Sequence, residues 1–98
     1  LRRNVIVYEN VEFELADEID PNLFVTSEQA GWTTKSIEQE IPLKDGSYKT
    51  IGGSLNEWNK LTSLKLTSFD NSVTEIKSYF LDSCWNLESV DLSALPNL

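Results

Sequence analysis

Hydrophobic positions along this chain follow two rhythms, and the change between them predicts two regions. Near the N-terminus, short runs alternate in period two. Val5 and Val7 fall on one side of the first run. In the second, Val11, Phe13 and Leu15 share a face while Glu12 and Glu14 share the other. Such alternation marks half-buried strands, because successive side chains of an extended backbone point to opposite faces. Glu9-Asn10 predicts a turn between the runs, and Asp20-Pro21-Asn22 a further turn before the apolar Leu23-Phe24-Val25. Lys44-Asp45-Gly46-Ser47 reads as a hairpin or connection turn.

The second region has a different grammar. Leu61-Thr62-Ser63-Leu64-Lys65-Leu66 is followed 26 residues later by Leu87-Glu88-Ser89-Val90-Asp91-Leu92, both reading L-x-S-[LV]-[KD]-L. A short strand accounts for the pattern, with Leu64 and Leu66, then Val90 and Leu92, pointing inward. Ser63, Lys65 and Thr67, then Ser89, Asp91 and Ser93, point outward. Between the strands, Ile76, Phe80, Cys84 and Leu87 are spaced i, i+4, i+8, i+11, and Ile51, Leu55 and Trp58 are spaced i, i+4, i+7. Both spacings predict one face of a short helical return. A period of about 25 residues, built of one strand and one return, is the leucine-rich pattern. Trp32, Trp58 and Trp85 recur at intervals of 26 and 27, and Ser36-Ile37-Glu38-Gln39 stands where a third, weaker copy would have its strand.

The fold expected from these rhythms is α/β: a leucine-rich-repeat solenoid with short parallel strands and short helical returns, preceded by a small acidic β-rich N-terminal cap. Residues 1–47 would form the cap or a degenerate repeat, and residues 48–98 the repeats. Ser93-Ala94-Leu95-Pro96-Asn97-Leu98 reads as the opening of a further repeat, cut off, and the absence of Met predicts a mature product or an excised fragment. Leu64→Ala or Val90→Asp would then unfold so small a stack, and its uncovered last coil would favour self-association.

Composition narrows the function classes. The chain has 98 residues, 40 % hydrophobic and 24 % charged, as expected of one small domain. Sixteen acidic residues against eight basic ones give a formal net charge of -8. That balance argues against a nucleic-acid partner, which needs clustered Lys and Arg, and against an anionic membrane surface. No apolar run approaches the roughly 20 residues that span a bilayer. No His and one Cys leave no Cys/His zinc site, no His base and no internal disulfide. Cys84 therefore reads as a small buried hydrophobe. Glu12 and Glu14 share a strand face as a solvated pair and not as a catalytic one. Asp17-Glu18-Ile19-Asp20 lacks the framework of a calcium loop, and Ile51-Gly52-Gly53-Ser54 that of a phosphate loop. The chain is thus read as non-enzymatic, without cofactor or metal.

From Ser72-Val73-Thr74-Glu75-Ile76 through Phe80, Cys84 and Leu87 to Val90 and Leu92, the sequence resembles the BspA-like, or Treponema pallidum-type, leucine-rich repeats. The copy from Tyr48 to Leu66 keeps Ile51, Gly52, Leu55, Leu61, Leu64 and Leu66 but has Asn59 where Cys84 sits, and Lys77 replaces the Gly retained at Gly52. The resemblance covers about half of the chain. It implies a module of a larger surface or secreted protein that adheres to proteins or cells. An intracellular leucine-rich scaffold is the alternative.

Binding would use the outward strand positions Ser63, Lys65, Thr67, Ser89, Asp91 and Ser93, aligned as rungs toward a protein partner. Lys65 and Asp91 are equally able to pair with each other. The Trp residues leave two readings open. At repeat spacing they fill one slot in successive coils, whereas exposed indoles stack on sugars.

Overall fold

The Glu9-Asn10 pair sets the register of everything beside it. In the computed structural model, which describes residues 3–69 and 72–94, both residues have positive φ, 50° and 63°. That left-handed pair matches the twist of two strands joined by a two-residue loop. The loop connects β1 (Val5–Tyr8) to β2 (Val11–Glu14), with Tyr8 opposite Val11, Ile6 opposite Phe13 and Val5 opposite Glu14. Directly opposed residues share a face. Ile6 and Tyr8 therefore lie with Phe13 and Val11, and Val5 and Val7 with Glu14 and Glu12. The buried phase of β1 is Ile6 and Tyr8.

Asp20 caps a 3-10 turn, Pro21–Phe24, its carboxylate accepting from the Asn22 N–H at 2.9 Å. Two hairpins follow: β3 (Ser27–Ala30) with β4 (Thr33–Ser36), and β5 (Gln39–Pro42) with β6 (Tyr48–Ile51). A single helical turn, α1 (Leu55–Trp58), leads into β7 (Leu61–Lys65), and β8 (Ser89–Asp91) closes the described chain. The main sheet has the order β2-β1-β7-β8. β1 and β7 are antiparallel, with Ile6 opposite Leu64; β7 and β8 are parallel, with Leu64 opposite Val90.

The core lies against one face of this sheet. Ile6, Tyr8, Leu61 and Leu64 come from the sheet, and Ile19, Phe24, Ile41, Ile51 and Trp58 from the segments folded over it. Each such side chain contributes roughly 1.5–3 kcal/mol on burial. The indole N–H of Trp58 donates to the Ile37 carbonyl at 2.9 Å, so this large ring is buried without losing a hydrogen bond. Gly52 sits at φ 113°, where a Cβ would overlap the same carbonyl, and only glycine fits.

Asn4 is the buried polar hub. Its amide nitrogen lies 2.9, 3.1 and 2.6 Å from the carbonyl oxygens of Ala16, Asp17 and Ser68, and its oxygen accepts from the N–H groups of Thr67 and Ser68 at 2.9 and 3.0 Å. One side chain thereby ties the segment before β1 to the chain leaving β2 and to the chain leaving β7.

This is a β-rich fold of one mixed sheet and two hairpins, not an α/β leucine-rich-repeat solenoid. Three findings overturn the repeat stack. First, β7 is flanked on its other side by antiparallel β1, so no preceding coil lies there and the N-terminal strands are not a cap laid over a coil stack. Second, residues 73–88 form no helical return. Tyr79, Leu81 and Ser83 have positive φ, which a right-handed helix does not accept, and Phe80 instead bridges Val25. Third, Ile51 belongs to β6, so the first supposed return keeps only the single helical turn Leu55–Trp58. The expected third strand copy also fails, because Ile37-Glu38 separates β4 from β5. The parallel pairing of β7 with β8 is a feature of this mixed sheet. Leu95–Leu98, read as part of a cut-off repeat, lie outside the described residues.

Val90 is on the same side as Leu64 but at the sheet's free edge, where it stays 45 % exposed. The two positions are thus unequal, contrary to the expectation from the repeat. Leu64→Ala is expected to cost about 2–5 kcal/mol, and Val90→Ala less than about 1 kcal/mol, read from urea unfolding midpoints. Asn4→Ala, which strands several buried backbone groups, should cost about 3 kcal/mol or more.

Candidate functional site: the open face of the sheet

Strand alternation and register place two rows of residues on the face opposite the core. Across the sheet from β2 to β8, one row is Glu12, Val7, Ser63 and Ser89, and the other is Glu14, Val5, Lys65 and Asp91. None of the eight is buried. Of the outward positions expected from sequence, Ser63 and Ser89 stand side by side, as do Lys65 and Asp91. Among the described residues no carboxylate lies within ion-pair distance of Lys65. Asp91 instead accepts from the Ser93 N–H at 3.0 Å, which, with the Ser93 side chain and nearby Lys65, holds its carboxyl below the ordinary carboxylate value.

Thr67 and Ser93 lie beyond the strand ends. Thr67 closes the sheet's corner: its hydroxyl oxygen is 2.7 Å from both the N–H and the carbonyl oxygen of Arg3. Ser93 is exposed beside Asp91. The residues that repeat-based reasoning missed are Val5, Val7 and Arg3, and it kept Glu12 and Glu14 apart from the site. A signal for them was present. A two-residue turn at Glu9-Asn10 forces Val7 opposite Glu12 and Val5 opposite Glu14, putting the valines on the carboxylate face.

Arg3 spans that carboxylate row, with Nη2 3.1 Å from Glu12 and Nε 3.2 Å from Glu14. Lys44 adds contacts to Glu14 at 3.7 Å and Asp17 at 3.4 Å. All are solvent-exposed pairs, each worth about 0–1 kcal/mol, so they fix side-chain positions more than they hold the fold. Beside β2, an open cleft of about 380 Å³ is lined by Glu12, Phe13, Glu14, Leu43, Lys44 and Asp45.

At the other end of β1, the Tyr8 hydroxyl donates to Glu57 at 2.7 Å, and Lys60 bridges Glu57 at 3.2 Å and Glu9 at 3.3 Å. Burial and the Glu57 carboxylate push the Tyr8 phenol well above its ordinary value. The Lys49 ammonium sits 4.8 Å over the Tyr8 ring and 5.5 Å over Phe13, a cation–π arrangement at the inner face.

Cys84 is buried, and loss of hydration, with the Asp82 charge second, pushes its thiol up to about 12. At neutral pH it is a protonated core thiol and not a nucleophile. Of the acidic run, Asp17 pairs with Lys44, Ile19 is buried and Asp20 caps the 3-10 turn, so its members diverge. Among the described residues no three Asp, Glu or Cys side chains converge as metal ligands.

The three Trp residues do not share a slot. Trp58 is 0 % exposed, Trp85 is 76 % exposed, and Trp32 is 99 % exposed at the tip of the β3–β4 hairpin. Gly31, with φ 63°, occupies the first loop position of that hairpin, as a tight two-residue loop favours. Comparison with family profiles, characterised proteins and solved structures finds no match.

Iodide is expected to quench the fluorescence of Trp32 and Trp85 and to spare Trp58. A Trp32→Phe/Trp85→Phe variant should therefore be nearly insensitive to it. Stability should fall at alkaline pH. An unfolded thiol ionises near 9.0 and the folded one near 12, so the contribution is intact below about pH 9 and is lost as pH rises toward 12. Tyr8 adds in the same direction. Thermal melts across this range should show a shallower alkaline decline for Cys84→Ala than for the native chain.

Proposed function

We propose that this chain is a protein-recognition or adhesion module that binds its partner across the open face of the four-stranded sheet. The supporting observation is that all eight outward residues of the two central rows stay solvent-accessible on a sheet whose other face carries the core. Two valines lie at the middle of this face. Serines, Lys65 and Asp91 lie to one side, and a carboxylate row held by Arg3 to the other. An apolar centre with a polar, mixed-charge rim is the usual composition of a protein-binding patch.

A second reading, a carbohydrate-binding module, is favoured by the two exposed indoles, since exposed Trp can stack on a sugar ring. Glycan binding lost in Trp32→Ala and Trp85→Ala, with the sheet-face variant unaffected, would select it.

The sheet-face reading predicts that a Val7→Glu/Ser63→Arg variant keeps the native circular dichroism spectrum and loses partner binding by about tenfold or more. Affinity capture with native and variant chains, quantified by mass spectrometry, checks this. Equal capture by both chains would overturn the reading.

A further inference from the structure

The β2 edge has a recognition geometry of its own. In a two-residue hairpin the residues flanking the loop exchange hydrogen bonds across the pair, and every second pair repeats this. Tyr8–Val11 and Ile6–Phe13 are therefore hydrogen-bonded pairs, and the Leu15 N–H continues the series to the Asn4 carbonyl at 2.7 Å. The peptide groups of Glu12 and Glu14 consequently point away from β1, toward the free edge. Farther along, that edge is taken. The Glu14 carbonyl accepts from the Lys44 N–H at 3.1 Å, and the Ala16 N–H donates to the Pro42 carbonyl at 3.0 Å. The N–H and carbonyl of Glu12 and the N–H of Glu14 are left facing the cleft, with no partner among the described residues.

Side chains around this edge are arranged with the same period. Glu12 projects to the open face. Val11, 51 % exposed, and Phe13, half-buried beside Leu43, project to the other. Three carboxylates and one ammonium line the cleft, in a chain of net charge -8.

We propose that this edge takes up an extended peptide of alternating apolar–basic–apolar pattern, which joins the sheet beside β2. The peptide's central residue exchanges two backbone hydrogen bonds with Glu12, and its Lys or Arg side chain falls on the open face next to the Glu12 carboxylate. The flanking apolar side chains fall on the opposite face, one over Val11 and one over Phe13 and Leu43 in the cleft. Backbone pairing supplies the affinity and alternate side chains the selectivity. The β5–β6 hairpin blocks the edge from Glu14 onward, so recognition covers a short segment and binding is weak. The proposal rests on the protein-recognition reading and names the class of partner segment.

The test is an NMR titration of the full 15N-labelled chain with the capped peptide Thr-Val-Lys-Val-Thr. Saturable shifts are expected at Val11–Glu14 and Leu43–Asp45. Methylating the backbone nitrogen of the central Lys should abolish them without altering the protein. Replacing that Lys by Glu in the peptide, or Glu12→Lys in the protein, should weaken binding by about tenfold or more. Thr34→Ala, on the exposed β3–β4 hairpin, should leave binding unchanged. No saturation by about 5 mM, or an N-methylated peptide that binds as well as the parent, overturns the edge proposal and leaves the sheet-face reading standing. Shifts confined to Val5, Val7, Ser63 and Lys65 overturn the edge while favouring the face. Shifts centred on Ser89–Asp91 overturn it in favour of the opposite edge.

Discussion

The structure depends on the antiparallel contact between β1 and β7. Neither strand is long, and neither can bury its apolar residues without the other. Once Ile6 lies opposite Leu64, one continuous apolar face exists, and the β5–β6 hairpin, the 3-10 turn and α1 have something to fold onto. Because β1 lies near the N-terminus and β7 more than 50 residues later, this contact closes a long loop and carries its entropic cost. Asn4 offsets part of that cost. Its amide satisfies backbone groups from two separate segments, which suits a buried polar side chain far better than partial satisfaction would.

That same contact creates the functional surface. A sheet with its core on one side must leave the other side to solvent or to a partner, and β1 brings its two valines to the middle of that other side. The order β2-β1-β7-β8 also leaves two edges. β8 is short and carries an exposed Val90. β2 is half closed by the β5–β6 hairpin and half open beside a cleft. Arg3 is positioned by Thr67 at the sheet's corner and spans the Glu12–Glu14 row, so the electrostatics of the face follow from how the N-terminal segment docks. The exposed pairs contribute little to stability; they set which charges a partner meets.

Much of the local structure could be read from residues. The alternation at Val11–Leu15, the turns at Glu9-Asn10, Asp20-Asn22 and Lys44-Ser47, and the strand character of Leu61–Lys65 and Ser89–Asp91 all follow from period and turn chemistry. Even the pairing of Ser63 with Ser89 and of Lys65 with Asp91 follows from the repeated L-x-S-[LV]-[KD]-L. The error lay in giving one architecture to two similar strands. The i, i+4, i+8 spacing at Ile76, Phe80 and Cys84 is compatible with a helix, but three left-handed residues around Phe80 turn the chain so that Phe80 meets Val25. Equal spacing of the Trp residues likewise hid three environments.

What the sequence determined by itself is local: where the backbone extends, where it turns, and which side chains alternate. These depend on neighbours a few residues apart, whose conformational preferences and periods act along the chain. Which strand sits next to which was decided only by the tertiary structure. Insertion of β1 against β7, the phase of its buried residues, and the Trp32 hairpin left standing in solvent all depend on contacts between distant segments. Many strand orders would satisfy the same alternation. The one adopted is fixed by packing the whole apolar set at once and by satisfying buried groups such as Asn4.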